Sequence, residues 1–115
     1  MKVYIVVDIE ILKLDIIKSL KPLNLNRVIL FGSYAYGTAN RDSDIDLYVV
    51  TNDEYTPKNW EEKSELIQQV SPSLSELRSR FPIDLIVHTK EMYKEFIELN
   101  SYFSKEILIK GSILL

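Results

Sequence analysis

Three aspartates in this sequence lie inside stretches that otherwise have the composition of buried β-strands, where a carboxylate is costly. Asp44 and Asp46 belong to DIDLYVV (44–50), and Asp84 belongs to IDLIVHT (83–89). Because side chains alternate across a strand, Asp44 and Asp46 must project from one face, opposite the apolar residues between them. The same alternation places Asp84 opposite the apolar residues of its own strand.

If the two strands are neighbours, the three carboxylates gather on one face of a sheet. Their negative charges would then raise one another's pKa values unless a cation neutralised them. Oxygen ligands favour Mg²⁺ or Mn²⁺ over zinc, so the pattern predicts a divalent-metal site formed by Asp44, Asp46 and Asp84. The alternative is that these aspartates are solvated residues of edge strands, turns or helix caps.

A glycine-containing loop precedes the first of these strands. Gly32 and Ser33 directly follow the apolar strand RVILF (27–31), and SYAY (33–36) can form the first turn of a short helix. Glycine allows the backbone to approach a phosphate closely, and the amides at a helix start attract anions. The loop lacks the lysine and the hydroxyl residue of a P-loop. It therefore indicates either phosphate binding or a tight turn with a serine cap.

The rest of the sequence predicts the elements that would hold these residues. Apolar residues recur at helical spacing over 8–20, which predicts a helix with Asp8 as its N-cap. Ile11 and Leu14 widen its apolar face, so we expect this helix to pack on more than one side. With the three strands, the helices indicate an α/β or α+β domain with a small mixed sheet. The further helices are predicted at 59–70, 71–81, 90–100 and 102–110, the last ended by Gly111.

Composition and charge argue against several classes of function. The chain has 115 residues, no cysteine and a net charge of −3, so we expect one domain (1–115) without disulfides or thiolate metal sites. The acidic balance argues against nucleic acid as a partner. The opening MKVYIVV is too short for a signal peptide, and no apolar run is long enough for a membrane span. A cytoplasmic protein with no membrane partner is expected.

Together, the two motifs resemble those of a known enzyme superfamily. Gly32–Ser33, ten intervening residues and Asp44-x-Asp46 match the nucleotidyltransferase signature of the DNA polymerase β superfamily. The stretches LFGSYAYG, DSDIDLYVV and PIDLIV are similar to the minimal nucleotidyltransferase (MNT) family, and the similarity extends over nearly the whole chain. It implies the nucleotidyltransferase fold and the transfer of a nucleoside monophosphate, AMP from ATP, to an acceptor hydroxyl with release of pyrophosphate.

The resemblance also implies a role for each residue of the two motifs. Gly32 and Ser33 would hold the triphosphate of ATP or another NTP, while Asp44 and Asp46 would bind one or two Mg²⁺ ions. Asp84 would ligate the metal on the acceptor side and help to activate the attacking hydroxyl.

The glycine loop departs from the family pattern. Family members often carry arginines there, as in GSRARG, whereas this chain has Tyr34 and Tyr36. The sequence leaves open whether Arg41, a nearby lysine or another chain supplies the missing charge, and whether the tyrosines stack on a base or pack inside the protein. His88, on the same strand face as Asp84, is either a structural residue or a general base.

MNT proteins often pair with a small helical HEPN protein and act as its antitoxin by modifying it with AMP. The resemblance therefore implies an antitoxin that modifies a HEPN partner. Two alternatives remain: a catalytically weak or inactive binding module of the same fold that neutralises a partner by contact, and a nucleotidyltransferase for a small molecule such as an antibiotic. The sequence does not distinguish a monomer from a homo-oligomer.

Overall fold

The computed structural model describes residues 8–40 and 42–115, and it consists of a four-stranded sheet with helices on both faces. The opening stretch MKVYIVV and Arg41 lie outside the described residues. The elements in chain order are α1 (Ile9–Leu20), β1 (Arg27–Phe31), α2 (Ser33–Tyr36), β2 (Ile45–Val50), α3 (Trp60–Gln68), α4 (Ser75–Arg78), β3 (Ile83–His88), α5 (Lys90–Leu99), α6 (Tyr102–Leu108) and β4 (Ser112–Ile113).

The sheet has the strand order β3-β2-β1-β4 and is mixed. β1 pairs antiparallel with both β2 and β4, whereas β2 and β3 run parallel. A parallel pair needs a long crossover connection, and here residues 51–82, with α3 and α4, make it. The predicted class, a small mixed sheet flanked by helices, is confirmed.

Both faces of the sheet are covered, so β1 and β2 are buried on both sides. On one face, α1, α3 and α4 enclose a main core. On the other face, α5 and α6 enclose a smaller second core. The fully buried side chains of the second core are Ile29, Tyr48, Val50 and Ile107, packed against Phe31, Ile86, Tyr93, Phe96 and Leu108. The carboxylate face of β2 therefore continues into an apolar layer.

Helix α1 begins where its N-cap predicts. The Asp8 carboxylate accepts hydrogen bonds from the backbone amides of Glu10 and Ile11, which have no partner within the helix. The helix packs on one face only, since the side chains of Ile11 and Leu14 are 57% and 64% exposed. The prediction that α1 packs on more than one side is wrong, because no described element covers that flank.

Two other helix predictions need correction. The segment 71–81 begins with a 3₁₀ turn, Ser71–Leu74, and only one α-helical turn, α4, follows it. The predicted helix 102–110 ends at Leu108, because the chain turns there into β4, a strand that the sequence pattern did not reveal. Among the described helices, none is long and apolar enough to cross a membrane.

Gly111 allows that turn for a different reason from the predicted helix cap. A Cβ at this position would overlap the carbonyl oxygen of Ile107 and lie 2.6 Å from the Ile29 side chain. The glycine is needed because α6 and β1 approach the backbone closely on the way into β4.

We expect Gly111→Ala to lower the free energy of unfolding by about 2 kcal/mol, the cost of forcing a methyl group into a packed site. Urea unfolding followed by circular dichroism measures the change. Gly37→Asn is the matched control, because no atom lies within 4 Å of a Cβ built there and asparagine tolerates the positive φ of 76°. Equal stability of Gly111→Ala and the wild-type protein would contradict this account of the turn.

Candidate functional site

The parallel pairing of β2 and β3 brings two of the three predicted aspartates side by side. Asp46 is the register partner of Asp84, and Phe31 of β1 is the partner of Asp46 on its other side. Paired residues of adjacent strands project from the same face, about 5 Å apart. Phe31, Asp46 and Asp84 therefore form a row across the sheet at the edge of the second core, and the predicted meeting of Asp46 and Asp84 is confirmed.

The glycine loop packs directly against this row. Gly32 follows Phe31 and has a φ of 74°, a conformation that residues with a side chain rarely adopt. A Cβ at Gly32 would overlap a carboxylate oxygen of Asp46 and lie 3.0 Å from its Cγ. Both the backbone conformation and the Asp46 side chain therefore require glycine, and the loop and the carboxylate are immediate neighbours.

The surroundings of Asp46 disfavour the charged form of its carboxylate. Its pKa is raised to about 6, chiefly because burial disfavours the charged form and also because the carboxylates of Asp84 and Asp44 repel it. Near neutral pH the site therefore holds an ionised carboxylate that is poorly solvated and lies close to two other acidic groups. Such a group is stabilised by a nearby cation.

Asp44 lies one residue before β2, and its side chain is exposed. Its carboxylate is close enough to raise the pKa of Asp46. The pKa of Tyr34 is raised chiefly by burial and secondly by the Asp44 charge. Among residues 8–40 and 42–115, no three acidic or histidine side chains converge closely enough to form a preassembled metal site. The all-oxygen donor set and the raised pKa of Asp46 nevertheless fit a hard divalent cation such as Mg²⁺.

The short helix α2 begins immediately after Gly32, with Ser33 as its first residue. The backbone carbonyl of Gly32 accepts hydrogen bonds from the amides of Ala35 and Tyr36 at 3.0 and 3.1 Å. The amides of the first helical residues have no acceptor within the helix. Gly37 ends α2 in the left-handed conformation, so the second glycine of the loop has a backbone role.

The two tyrosines at the positions of the family arginines are both engaged within the protein. Tyr34 is 4% exposed and packs in the main core, edge-on to Phe81 with ring centroids 6.3 Å apart. The Tyr36 hydroxyl donates a hydrogen bond to Glu106, where both the backbone carbonyl and a carboxylate oxygen lie at 3.0 Å. Packing inside the protein therefore describes Tyr34, whereas Tyr36 is 39% exposed and is held by its hydrogen bond to Glu106.

Glu106 also binds a cation beside the loop. Its second carboxylate oxygen lies 2.7 Å from Nζ of Lys110, so Tyr36, Glu106 and Lys110 form a continuous chain of polar contacts. The lysine, and then the tyrosine, lower the pKa of Glu106 below its ordinary value. Sequence reasoning did not identify Glu106 or Lys110. Their spacing is typical of any surface ion pair on a helix, and only the fold places them at the loop.

The His88 side chain contacts aromatic residues of the second core. Its Nδ1 lies 2.6 Å from the hydroxyl of Tyr48, and the two rings meet edge-on with centroids 4.9 Å apart. Burial lowers the pKa of His88, which favours the neutral ring. His88 therefore completes the second core, and the alternative of a general base finds no support in its contacts.

The raised pKa of Asp46 makes the stability of the protein depend on pH. Because the folded state binds this proton more tightly than the unfolded state, stability falls as the pH rises from about 4 to about 6. We expect Asp46→Asn to remove the penalty and to stabilise the protein above that range by about 1 kcal/mol, after allowance for screening by solvent.

Urea unfolding of Asp46→Asn and wild type at about pH 4 and about pH 7.5 tests this expectation, with the gain confined to the higher pH. Asp42→Asn is the matched control, since Asp42 is exposed in the turn before β2. A variant that is less stable than wild type at both pH values would contradict the assigned cause.

Comparison with known proteins places this chain in a family. Residues 12–114 match the family described as "Nucleotidyltransferase domain". A comparison with curated proteins gives no significant match. Solved structures similar to this chain include a toxin–antitoxin crystal structure with AMP-PNP, at 26% identity and a TM-score of 0.55, which covers 90% of this chain and 72% of that one.

Two further solved structures show the same fold. One is the toxin–antitoxin MntA–HpeT in a form with two aspartates changed to glutamate, at 22% identity, a TM-score of 0.52 and coverage of 90% of this chain and 71% of that one. The other is described as a candidate nucleotidyltransferase from Sulfolobus solfataricus, at 23% identity, a TM-score of 0.50 and coverage of 76% and 71%. The family resemblance inferred from the two motifs is confirmed, and the chain belongs to the nucleotidyltransferase domain family.

Proposed function

We propose that this protein is a minimal nucleotidyltransferase of the cytoplasm that transfers AMP from ATP to a hydroxyl of a HEPN toxin partner and so acts as its antitoxin. The observation that carries the proposal is the contact between the Gly32 backbone and the Asp46 carboxylate. This contact makes the phosphate-binding loop and the acidic face parts of one site, as a metal–nucleotide complex requires.

Gly32 and Ser33 are the residues that bind the triphosphate in this proposal. Gly32 places backbone without a side chain beside Asp46, and Ser33 is the first residue of α2, so its amide has no acceptor within the helix. Backbone amides and a hydroxyl group donate hydrogen bonds to phosphate oxygens without bringing further negative charge into the site.

Asp44, Asp46 and Asp84 are the residues that hold Mg²⁺, or Mn²⁺, when nucleotide binds. The bound ion neutralises the carboxylates and the phosphates and stabilises the charge that develops during transfer. The raised pKa of Asp46 supports this assignment. Burial and the neighbouring carboxylates disfavour its ionised form, and a bound cation would stabilise that form.

Asp84 is the residue that accepts the proton of the attacking hydroxyl. It lies beside Asp46 but is exposed, so an acceptor can reach it from solvent. The acceptor oxygen forms a bond to the α-phosphorus of ATP, the bond from that phosphorus to the bridging oxygen breaks, and pyrophosphate leaves. The hydroxyl proton passes to the Asp84 carboxylate.

A protein acceptor is supported by two observations. The solved toxin–antitoxin structure with AMP-PNP is 26% identical to this chain over 90% of its length. The net charge of −3 argues against a nucleic-acid acceptor, which basic proteins bind best. We therefore propose a protein partner and keep ATP as the nucleotide donor.

Calorimetric titration of Mg·ATP into the purified protein tests the nucleotide site. We expect binding to wild type that needs Mg²⁺ and is weakened at least about tenfold in the double variant Asp44→Asn/Asp46→Asn, which loses two charged ligands. The variant should remain folded, since Asp46→Asn is expected to stabilise the protein. Binding to wild type that is unaffected by either the variant or removal of Mg²⁺ would contradict the assigned site.

One observation favours a second candidate function, a binding module that neutralises its partner by contact. Tyrosines stand at the arginine positions of the loop, so residues 32–37 carry no cation for a triphosphate. Both tyrosines also make contacts within the protein. Such a module would need the surface of the fold and no chemistry.

Co-expression with the HEPN partner distinguishes the two functions. If AMP transfer neutralises the toxin, the Asp44→Asn/Asp46→Asn variant should lose growth rescue, and label from [α-³²P]ATP should appear on the partner only with the wild-type protein. Full rescue by the double variant, without label on the partner, would contradict AMP transfer and favour the contact function.

A further inference from the structure

The loop beside Asp46 lacks the arginines of its family, but a lysine in the turn after α6, Lys110, contacts the carboxylate of Glu106 to which Tyr36 of the loop is bonded. Along α6 and the turn that follows, Phe103, Glu106, Ile107 and Lys110 follow the spacing of one helical stripe. Phe103 meets Phe31 edge-on with ring centroids 6.1 Å apart, and Ile107 is buried in the second core. Phe103 and Ile107 therefore pack on the same face of the sheet as Asp46, the register partner of Phe31.

Tyr36 joins this stripe to the glycine loop. Its hydroxyl bonds both the backbone carbonyl and the carboxylate of Glu106, which holds α6 against α2. Burial and the bond to Glu106 raise the pKa of Tyr36, while the Gly32 backbone and the Lys110 charge act in the opposite direction. The Tyr36 hydroxyl contacts one carboxylate oxygen of Glu106 and Lys110 contacts the other, so a single carboxylate separates the lysine from the glycine loop.

Among the ion pairs that residues 8–40 and 42–115 form, the pair of Glu106 and Lys110 is the one that is bonded to a residue of the glycine loop. Its side chains are 21% and 59% exposed. An ion pair at this exposure contributes little to stability, because solvent screens it. Lys110 can therefore leave the Glu106 carboxylate and bind a more highly charged anion with little loss of folding stability.

We propose that Lys110 supplies the positive charge that the glycine loop lacks and binds the β- and γ-phosphates of the nucleotide, with Glu106 competing for the same lysine. The proposal rests on the proposed function and assigns a residue to its triphosphate. Tyr36 is then a positioning residue, which holds α6 so that Lys110 reaches the loop. In this proposal the cation comes from the turn that follows α6 and not from the loop, and it remains available to bind the leaving pyrophosphate.

Calorimetric titrations of the full chain with Mg·ATP, Mg·AMP and tripolyphosphate test the assignment. We expect Lys110→Met to weaken ATP and tripolyphosphate binding about tenfold, the loss of one charge-assisted contact, and to leave AMP binding unchanged. Lys110→Arg should retain binding, because it keeps the charge. Glu106→Gln should strengthen ATP binding about twofold to threefold, since it removes the competing carboxylate.

Lys105→Met is the matched control, because it removes the same charge from an exposed position of α6 that lies off the stripe. It should bind all three ligands as the wild type does. Equal losses for ATP and AMP in Lys110→Met would mean a structural role and overturn the proposal, as would weaker ATP binding by Glu106→Gln.

The outcomes separate this inference from the function on which it rests. If wild type binds Mg·ATP, the Asp44→Asn/Asp46→Asn variant does not, and Lys110→Met binds as well as wild type, only the role of Lys110 is overturned. If wild type binds neither Mg·ATP nor tripolyphosphate, both the role of Lys110 and the proposed nucleotide site are overturned.

Discussion

The contact between the Asp46 carboxylate and the Gly32 backbone is the constraint around which the rest of the site is arranged. It leaves no room for a side chain at residue 32, and it keeps an anion beside the second core. Natural sequences retain such costly groups where function needs them and compensate elsewhere in the fold. Here the compensation comes from the apolar cores that cover both faces of the sheet.

Much of this arrangement follows from local patterns. Alternation in 44–50 and 83–89 correctly separated the aspartates from the main core, and the glycine loop was found where a buried strand ends. What alternation could not reveal was the second core, because Tyr48 and Val50 share the face of Asp46 and are nevertheless fully buried. Whether a strand face meets solvent or a helix depends on α5 and α6, which are distant in sequence.

The charges around the glycine loop are a second feature that local sequence patterns do not reveal. A motif describes the residues that are contiguous in sequence, and by that measure this loop lacks cations. Glu106 comes from the other end of the chain, with Lys110 bonded to it, and it contacts the loop because Phe103 and Ile107 anchor α6 on β1. The strand β4 was missed for a similar reason. Two residues carry no periodicity, and only the close approach at Gly111 makes the pairing possible.

The parallel pairing of β2 with β3 has a consequence for how the chain folds. The antiparallel partners β1 and β2 are joined by residues 32–44, which include α2, whereas β3 joins β2 only after the longer crossover of residues 51–82. Contacts between distant segments carry a larger loop-closure entropy and form slowly. Asp46 and Asp84 therefore become neighbours only when this non-local step is complete. A partly folded chain that already has the β1–β2 pair, with its glycine loop, still lacks Asp84, the third carboxylate of its acidic face.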